Sequence, residues 1–152
     1  AGYQNIWLLP EIYTKTETNS LISLVDAVVS LHRAEGFGLV PAEAMLLGTP
    51  VIATNWSSTT EFMDADSACL VDYRLVPIEE DIGPYKKGQR WADPDVHQAA
   101  AYMRRLYEDP DYRRRLAENG QRRVETILGR EQAAEKIRTR IREIYTEASG
   151  AV

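Results

Sequence analysis

Ala27–Thr54 runs AVVSLHRAEGFGLVPAEAMLLGTPVIAT and contains two short apolar runs separated by a glycine loop and a helix-forming segment. Ala27–Leu31 and Val51–Thr54 are the apolar runs, and each suits a parallel strand covered on both faces. Gly36 and Gly38 allow backbone conformations and close approaches that a side chain would obstruct. Pro41 suits the first helical position, where a missing N–H removes no intrahelical bond. Ala42–Leu47 are good helix formers; Gly48 stops the helix and Pro50 keeps it stopped. The unit is a βαβ with its loop at the carboxyl end of the first strand, the edge where open α/β sheets bind ligands.

Two carboxylates mark this loop. Glu35 is expected on the loop itself and Glu43 within the first helical turn. The amides of Gly38, Leu39 and Val40 point out of the helix N-terminus and suit a phosphate or pyrophosphate. A carboxylate one turn in would repel phosphate, but it can accept hydrogen bonds from two adjacent hydroxyls, as on a ribose. Glu35 can do the same for a sugar hydroxyl. Together these groups suit a sugar nucleotide. The plainer alternative is that each glutamate is structural. A Glu in a first helical turn gains roughly 0.3–1 kcal/mol from the helix dipole alone, and a loop Glu is usually just solvated.

The whole pattern shifts that balance. It runs Glu35, Gly36, Phe37, Gly38, Leu39, then Glu43, Ala44, Met45, then Gly48, Pro50, Val51, Ile52 and Ala53. It closely resembles the signature of retaining glycosyltransferases of the GT-B fold, family 4, in their nucleotide-sugar domain. The resemblance spans most of residues 5–108. It implies a Rossmann-like, doubly wound parallel α/β sheet, the C-terminal half of a GT-B fold with additional C-terminal helices. By the same resemblance, Glu43 holds the ribose and Glu35 touches the donor sugar as the catalytic candidate. Gly36, Phe37, Gly38 and Leu39 hold sugar and diphosphate by their backbone. His32 and Arg33 stand where many members carry a Pro-Ser pair, a departure shared by a bacterial subgroup with the form S-L-H-R-x-E-G-F-G-L. His32 either faces the donor sugar or caps the strand end. Trp56, Ser57 and Ser58 replace a commoner glycine pair, and Glu61 matches the family's third acidic position, where simple capping is the alternative.

The chain has 152 residues, 44% apolar and 27% charged, ordinary values for one globular domain with a sizeable core. Its single cysteine, Cys69, lies in an apolar run and reads as a core thiol, consistent with a reducing compartment. No run reaches transmembrane length, and the first residues show no basic region followed by an apolar core. The net charge of −5 conceals an asymmetry: residues 1–102 carry 6 basic and 14 acidic side chains, and residues 103–142 carry 12 and 7. The basic stretch falls on helices, so a solvated face is the default and peripheral membrane contact the minority alternative. No nucleic-acid partner is expected.

Along the rest of the chain, Asn5–Leu9 reads as a strand closed by Pro10. Thr16–Val25 reads as a helix capped by Thr16 or Thr18, burying Leu21, Ile22, Leu24 and Val25. Ser58 and Glu61 have capping-box spacing for a short helix ending near Met63. Asp64 and Asp66 terminate a turn rather than bind a metal, and no residue set has metal-ligand spacing. Ala68–Asp72 reads as a strand. Arg74–Pro94 reads as a long loop, with at most a short strand near Leu75–Ile78 and Trp91 packing it down. Helices follow, the first with Asp95 as N-cap and a break at Asp109-Pro110, the second ending before Gly129. The third carries an apolar stripe of Ala134, Ile137, Ile141, Ile144 and Tyr145. Ala148–Val152 reads as a disordered tail.

The expected function is donor binding in a transferase that moves a hexose from a nucleotide-diphosphate sugar to a glycan or lipid-linked acceptor. The nucleotide sugar is a substrate, and no cofactor is expected. The resemblance implies an N-terminal acceptor domain outside residues 1–152, a helical extension over 110–148, and an isolated chain without turnover. The bacterial subgroup implies surface-polysaccharide or lipopolysaccharide assembly in the cytoplasm, at the inner face of the membrane. Two rivals stand beside this: a non-catalytic domain docking through its basic helices, and a GT-B-fold sugar-nucleotide epimerase.

Overall fold

Val51–Thr54 is the middle strand of a three-stranded parallel sheet, and all four residues are buried. The computed structural model describes residues 5–149. In chain order the elements are α1 (Lys15–Leu24), β1 (Val28–Ser30), α2 (Leu39–Leu46), β2 (Val51–Thr54), a 3-10 helix (Ser57–Glu61), β3 (Cys69–Val71), β4 (Tyr73–Pro77), β5 (Arg90–Pro94), α3 (Val96–Glu108), α4 (Pro110–Leu128) and α5 (Arg130–Ser149). The parallel sheet has the order β1-β2-β3, in register Val28↔Val51 and Ile52↔Cys69. Parallel neighbours need a crossover, and α2 supplies the first one.

Alternation along the strands divides the core into two layers. Val51 and Ala53 face a cluster with Ile22 of α1, Ala42, Ala44 and Met45 of α2, Phe62, Met63 and Val124 of α4. Ile52, Cys69 and Val71 face the opposite cluster, with Ala99 and Leu106 of α3 and Leu116 of α4. Helices therefore cover both faces of β2, as expected of a doubly wound sheet. β1 is less enclosed, with Val29 42% exposed. Cys69 is the expected core thiol. It is 1% exposed, and burial pushes its pKa up, which keeps it protonated and unreactive.

The glycine after α2 behaves as its sequence predicts. Gly48 takes φ 76°, its N–H donates to Met45 O at 3.0 Å, and Thr49 N–H donates to Ala44 O at 2.8 Å. Those two bonds satisfy carbonyls that the helix end would otherwise leave open. Asp95 likewise caps α3, accepting from the amides of His97 and Gln98 at 2.9 and 3.0 Å. These two bonds hold its carboxyl below the usual carboxylate range, the Gln98 amide contributing most.

Several expectations are corrected. Asn5–Leu9 forms no strand; Ile6, Trp7, Leu8 and Leu9 are all exposed, and no described strand lies beside them. An apolar run becomes a strand only when a neighbour completes its ladder. α1 is capped by Thr14, not Thr16 or Thr18: Thr14 and Glu17 form a reciprocal capping box. Of the residues expected to be buried there only Ile22 is, while Leu24 and Val25 are exposed. Arg74–Pro94 is not a structureless loop. Its ends pair as the antiparallel hairpin β4–β5, from Tyr73↔Pro94 to Pro77↔Arg90. α5 continues through Ala148 and Ser149, while the rest of the expected tail, and residues 1–4, lie outside the described residues. Among the described residues no helix is long and apolar enough to cross a membrane.

Candidate functional site

Three segments meet at the carboxyl edge of the sheet: the loop from β1 to α2, the turn after β2, and the β4–β5 hairpin that follows β3. Gly38 is the hinge of the first. It is the N-cap of α2 at φ 92°, ψ 48°, a left-handed conformation that favours glycine. A β-carbon placed there would lie 2.6 Å from Thr59 Cγ2 and 3.3 Å from Phe62 Cζ. Space and conformation thus both demand glycine at this position.

The helix begins at Leu39, two residues before the expected start, so Pro41 is its third residue. Its first internal bond runs from Ala42 N–H to Gly38 O at 2.9 Å, so the missing N–H of Pro41 still leaves nothing unmade. The amides of Gly38, Leu39 and Val40 have no acceptor among the described residues; Gly38 is buried, while Leu39 and Val40 are exposed and leave their amides open to an anion.

Glu43 is consequently the fifth residue of α2, in the second turn rather than the first. Helix-dipole stabilisation fades beyond the first turn, which weakens the purely structural account of this glutamate. Its half-buried carboxylate makes an ion pair with Lys15, the first residue of α1. Lys15 is mostly exposed, and such a pair adds about 0–1 kcal/mol.

Glu35 folds back on its own loop. Its Oε1 accepts from the amides of Gly36 at 3.0 Å and Phe37 at 3.4 Å. Its carbonyl accepts from the hydroxyls of Ser57 at 2.7 Å and Ser58 at 3.3 Å. The expected capping box of Ser58 with Glu61 is therefore not formed; the 3-10 helix has Trp56 at its N-cap and no side-chain cap. Glu61 is exposed. His32 Nε2 lies 2.9 Å from Trp56 O, and a carbonyl can only accept, so this nitrogen carries the proton. Its Nδ1 lies 3.4 Å from Ser30 Oγ. Nε2 thus ties the loop after β1 to the turn after β2, while Nδ1 faces back to the end of β1.

Ser57 has φ 68°, the only positive φ of a non-glycine among the described residues. Ser57→Ala and Ser57→Gly both lose the hydroxyl bond to Glu35, but only glycine relieves the left-handed backbone. Ser57→Gly should be more stable than Ser57→Ala by about 1 kcal/mol in urea unfolding. Equal midpoints would show that the conformation carries no strain.

The hairpin forms a side wall. Arg33 Nη2 lies 2.7 Å from Asp93 Oδ1, its guanidinium sits 4.9 Å from the Trp91 ring centre, and its carbonyl accepts from Ala92 N–H at 3.0 Å. Trp56 and Tyr73 rings lie 5.0 Å apart. At the hairpin base a cleft of about 440 Å3 is lined by Asp72, Tyr73, Arg74, Asp93, Asp95 and His97. A second, apolar groove of about 420 Å3 is lined by Phe37, Leu39, Ala42, Glu43, Leu46 and Leu128 among others. Phe37, Leu39 and Glu43 thus share one groove, which Glu35 and His32 do not line.

Asp64 accepts from Ser67 Oγ at 2.7 Å and pairs with Arg123 at 2.7 Å, roles that tie a turn to α4. Among the described residues no three or more His, Cys, Asp or Glu side chains are grouped to hold a metal ion. Lys15, Ser57, Ser58 and the Arg33–Asp93 pair escape a sequence reading. Their partners lie 28, 22, 23 and 60 residues away, beyond any local spacing rule.

Comparison with known proteins extends this geometry. The family model "Glycosyl transferases group 1" matches residues 4–123. The alpha-1,3/1,6-mannosyltransferase ALG2 of Candida albicans is 29% identical over 135 residues, 88% of this chain and 27% of that protein. The MMP alpha-(1->4)-mannosyltransferase of Mycolicibacterium hassiacum is 33% identical over 104 residues, 68% of this chain and 20% of that protein. The chain thus spans between a fifth and about a quarter of the length of these relatives. Among solved structures, the C-terminal domain of the glycosyl transferase group 1 family protein LpcC from Francisella tularensis superposes with TM-score 0.58 at 28% identity, covering 78% of this chain and 51% of that one. The fold is that of the Rossmann-like C-terminal half of a GT-B glycosyltransferase. With the family pattern running from residue 4 through the sheet, the Gly38 loop and most of α4, this chain belongs to the glycosyl transferases group 1 family.

Proposed function

We propose that the chain is the donor-binding domain of a retaining family 4 glycosyltransferase, which moves a hexose from a nucleoside-diphosphate sugar to a glycan or lipid-linked acceptor. The acceptor would be held by a further, N-terminal domain, and the 152-residue chain alone would show no turnover. The observation that carries this is the N-terminus of α2. Along the chain, two exposed helix-start amides without an acceptor, those of Leu39 and Val40, lie between two carboxylates, Glu35 on the loop and Glu43 on the helix. Diphosphate on the amides, ribose on Glu43 and the transferred sugar at Glu35, with Gly36, Phe37 and Leu39 lining the way, uses every one of these groups. Mannose is a fitting donor sugar, since both named relatives are mannosyltransferases. The bacterial surface-polysaccharide role, at the cytoplasmic face of the inner membrane, belongs to the same proposal. Docking through basic helices is less favoured: Arg113, Arg114, Arg123, Arg138 and Arg140 are already paired with acidic side chains.

The test separates the two glutamates in the full-length protein. UDP, GDP and their sugars all carry the ribose, so Glu43→Ala should weaken nucleoside diphosphate and sugar nucleotide alike. A lost hydrogen bond to a charged group costs about 1.5–3 kcal/mol, more than tenfold in affinity. Glu35→Gln should spare the bare nucleoside diphosphate and lower the transfer rate. Calorimetry against UDP and GDP, with transfer assayed across a panel of their sugars, reads both. Equal weakening of the bare nucleotide by the two variants would refute the assignment.

A further inference from the structure

We infer that Arg33 is a positioning residue for Glu35, anchored on the β4–β5 hairpin; the inference rests on the reading of Glu35 as the sugar-side carboxylate. Only Ala34 separates the two residues. On one side, β5 holds Arg33 three ways: the 2.7 Å ion pair with Asp93, the Trp91 ring under the guanidinium, and the bond from Ala92 N–H to its carbonyl. On the other side, Ser57 and Ser58 hold the Glu35 carbonyl. The segment Arg33–Glu35 is thus stretched between two supports, one from each neighbouring segment. The carbonyl side of Glu35 is set by the two serines and its carboxylate by the amides of Gly36 and Phe37; the direction from which the loop reaches it is set by Arg33.

Asp93 has its own support. It stands opposite Arg74 in the β4–β5 ladder, and the Arg74 guanidinium lies 3.5 Å from its second carboxylate oxygen. The Arg33 guanidinium therefore meets a carboxylate carried on a paired strand, with a second guanidinium near its other oxygen. A planar fork against that carboxylate and an aromatic face defines one orientation, which an ammonium would not. Loss of that orientation lets the loop shift, and small misplacements of a reacting group are costly in rate.

A double-mutant cycle tests this in the full-length protein, with UDP-glucose and GDP-mannose as probes. The readouts are the rate of nucleoside-diphosphate release and the affinity for UDP and GDP. Arg33→Ala should lower the rate by roughly tenfold to a hundredfold. Its bare-nucleotide affinity should stay within about twofold of wild type, as for a site that does not touch the ligand. In the Glu35→Gln background the same substitution should lower the rate no further, because its effect runs through the carboxylate. Asp93→Ala, which removes the acceptor of the Arg33 guanidinium, should show the same loss and the same disappearance. It serves equally if Arg33→Ala does not fold. Arg33→Lys should recover only part of the rate. Equal losses in both backgrounds, or none in either, overturn the positioning role while leaving Glu35 in place. A wild-type rate in Glu35→Gln alone overturns the reading of Glu35, and the positioning role with it.

Discussion

Gly38→Ala will lower the stability of the folded chain by about 2–5 kcal/mol, the sum of a conformational and a steric cost. At φ 92° an L side chain is strained by roughly 1–2 kcal/mol whatever surrounds it. The added methyl would also stand 2.6 Å from Thr59 Cγ2, and Thr59 is fully buried on a short, β-branched side chain that has little freedom to swing away. Relieving such overlap in a packed interior costs typically about 1–3 kcal/mol more. The movement would fall on the first turn of α2 and so on the open amides. Gly36 supplies the control. A β-carbon there meets nothing within 4 Å, so Gly36→Ala should remain within about 0.5 kcal/mol of wild type. Urea unfolding of both variants decides the matter, and similar midpoints would mean that the close approach at Gly38 does not exist in solution.

Phe62→Ala will cost about 3–5 kcal/mol, the range for deleting a fully buried aromatic side chain. Phe62 is 0% exposed, closes the core cluster beneath α2, and meets the Phe37 ring at 5.8 Å between centres. It is the wall behind the glycine loop, so its removal leaves a cavity under the same residues that Gly38 hinges. Phe62→Leu retains most of the volume and should lose much less, under about 1.5 kcal/mol if the neighbours repack. Equilibrium unfolding distinguishes them. A Phe62→Ala loss below that of Phe62→Leu would contradict the packing.

The βαβ unit was legible because its determinants are local. Val51–Thr54 is continuous and apolar, Gly38 and Gly48 both take the left-handed backbone, and the parallel pairing of β1 with β2 follows from the helix between them. Helix starts were read less well. α2 begins at Leu39 because Gly38 supplies a left-handed N-cap with no side-chain bond, whereas Pro41 announces a first-turn position without saying which one. The hairpin was hidden for a different reason. β5 is Arg-Trp-Ala-Asp-Pro, with neither alternation nor β-branched residues, and its pairing comes from a partner strand across a 12-residue connection. In the site, the two glutamates stood out by spacing. The contacts that hold them came from Lys15, Ser57 and Ser58, and the neighbouring Arg33 is held by Asp93, through approaches that no single helix or strand period encodes.

α4 and α5 follow one another with only Gly129 between them, yet their shares in the core differ sharply. α4 places Leu116 against one face of the sheet and Val124 against the other, while among the described residues α5 adds none to either cluster. Detaching α4 would uncover both apolar layers at once, so the sheet and α4 should open as one cooperative unit. α5 is free to fray by itself. In hydrogen exchange the amides of β2 and the centre of α4 should share the slowest rates, and those of α5 should exchange orders of magnitude sooner. The practical boundary of the folding unit is expected near Gly129: a chain trimmed there should keep its core, and one trimmed at Asp109 should not.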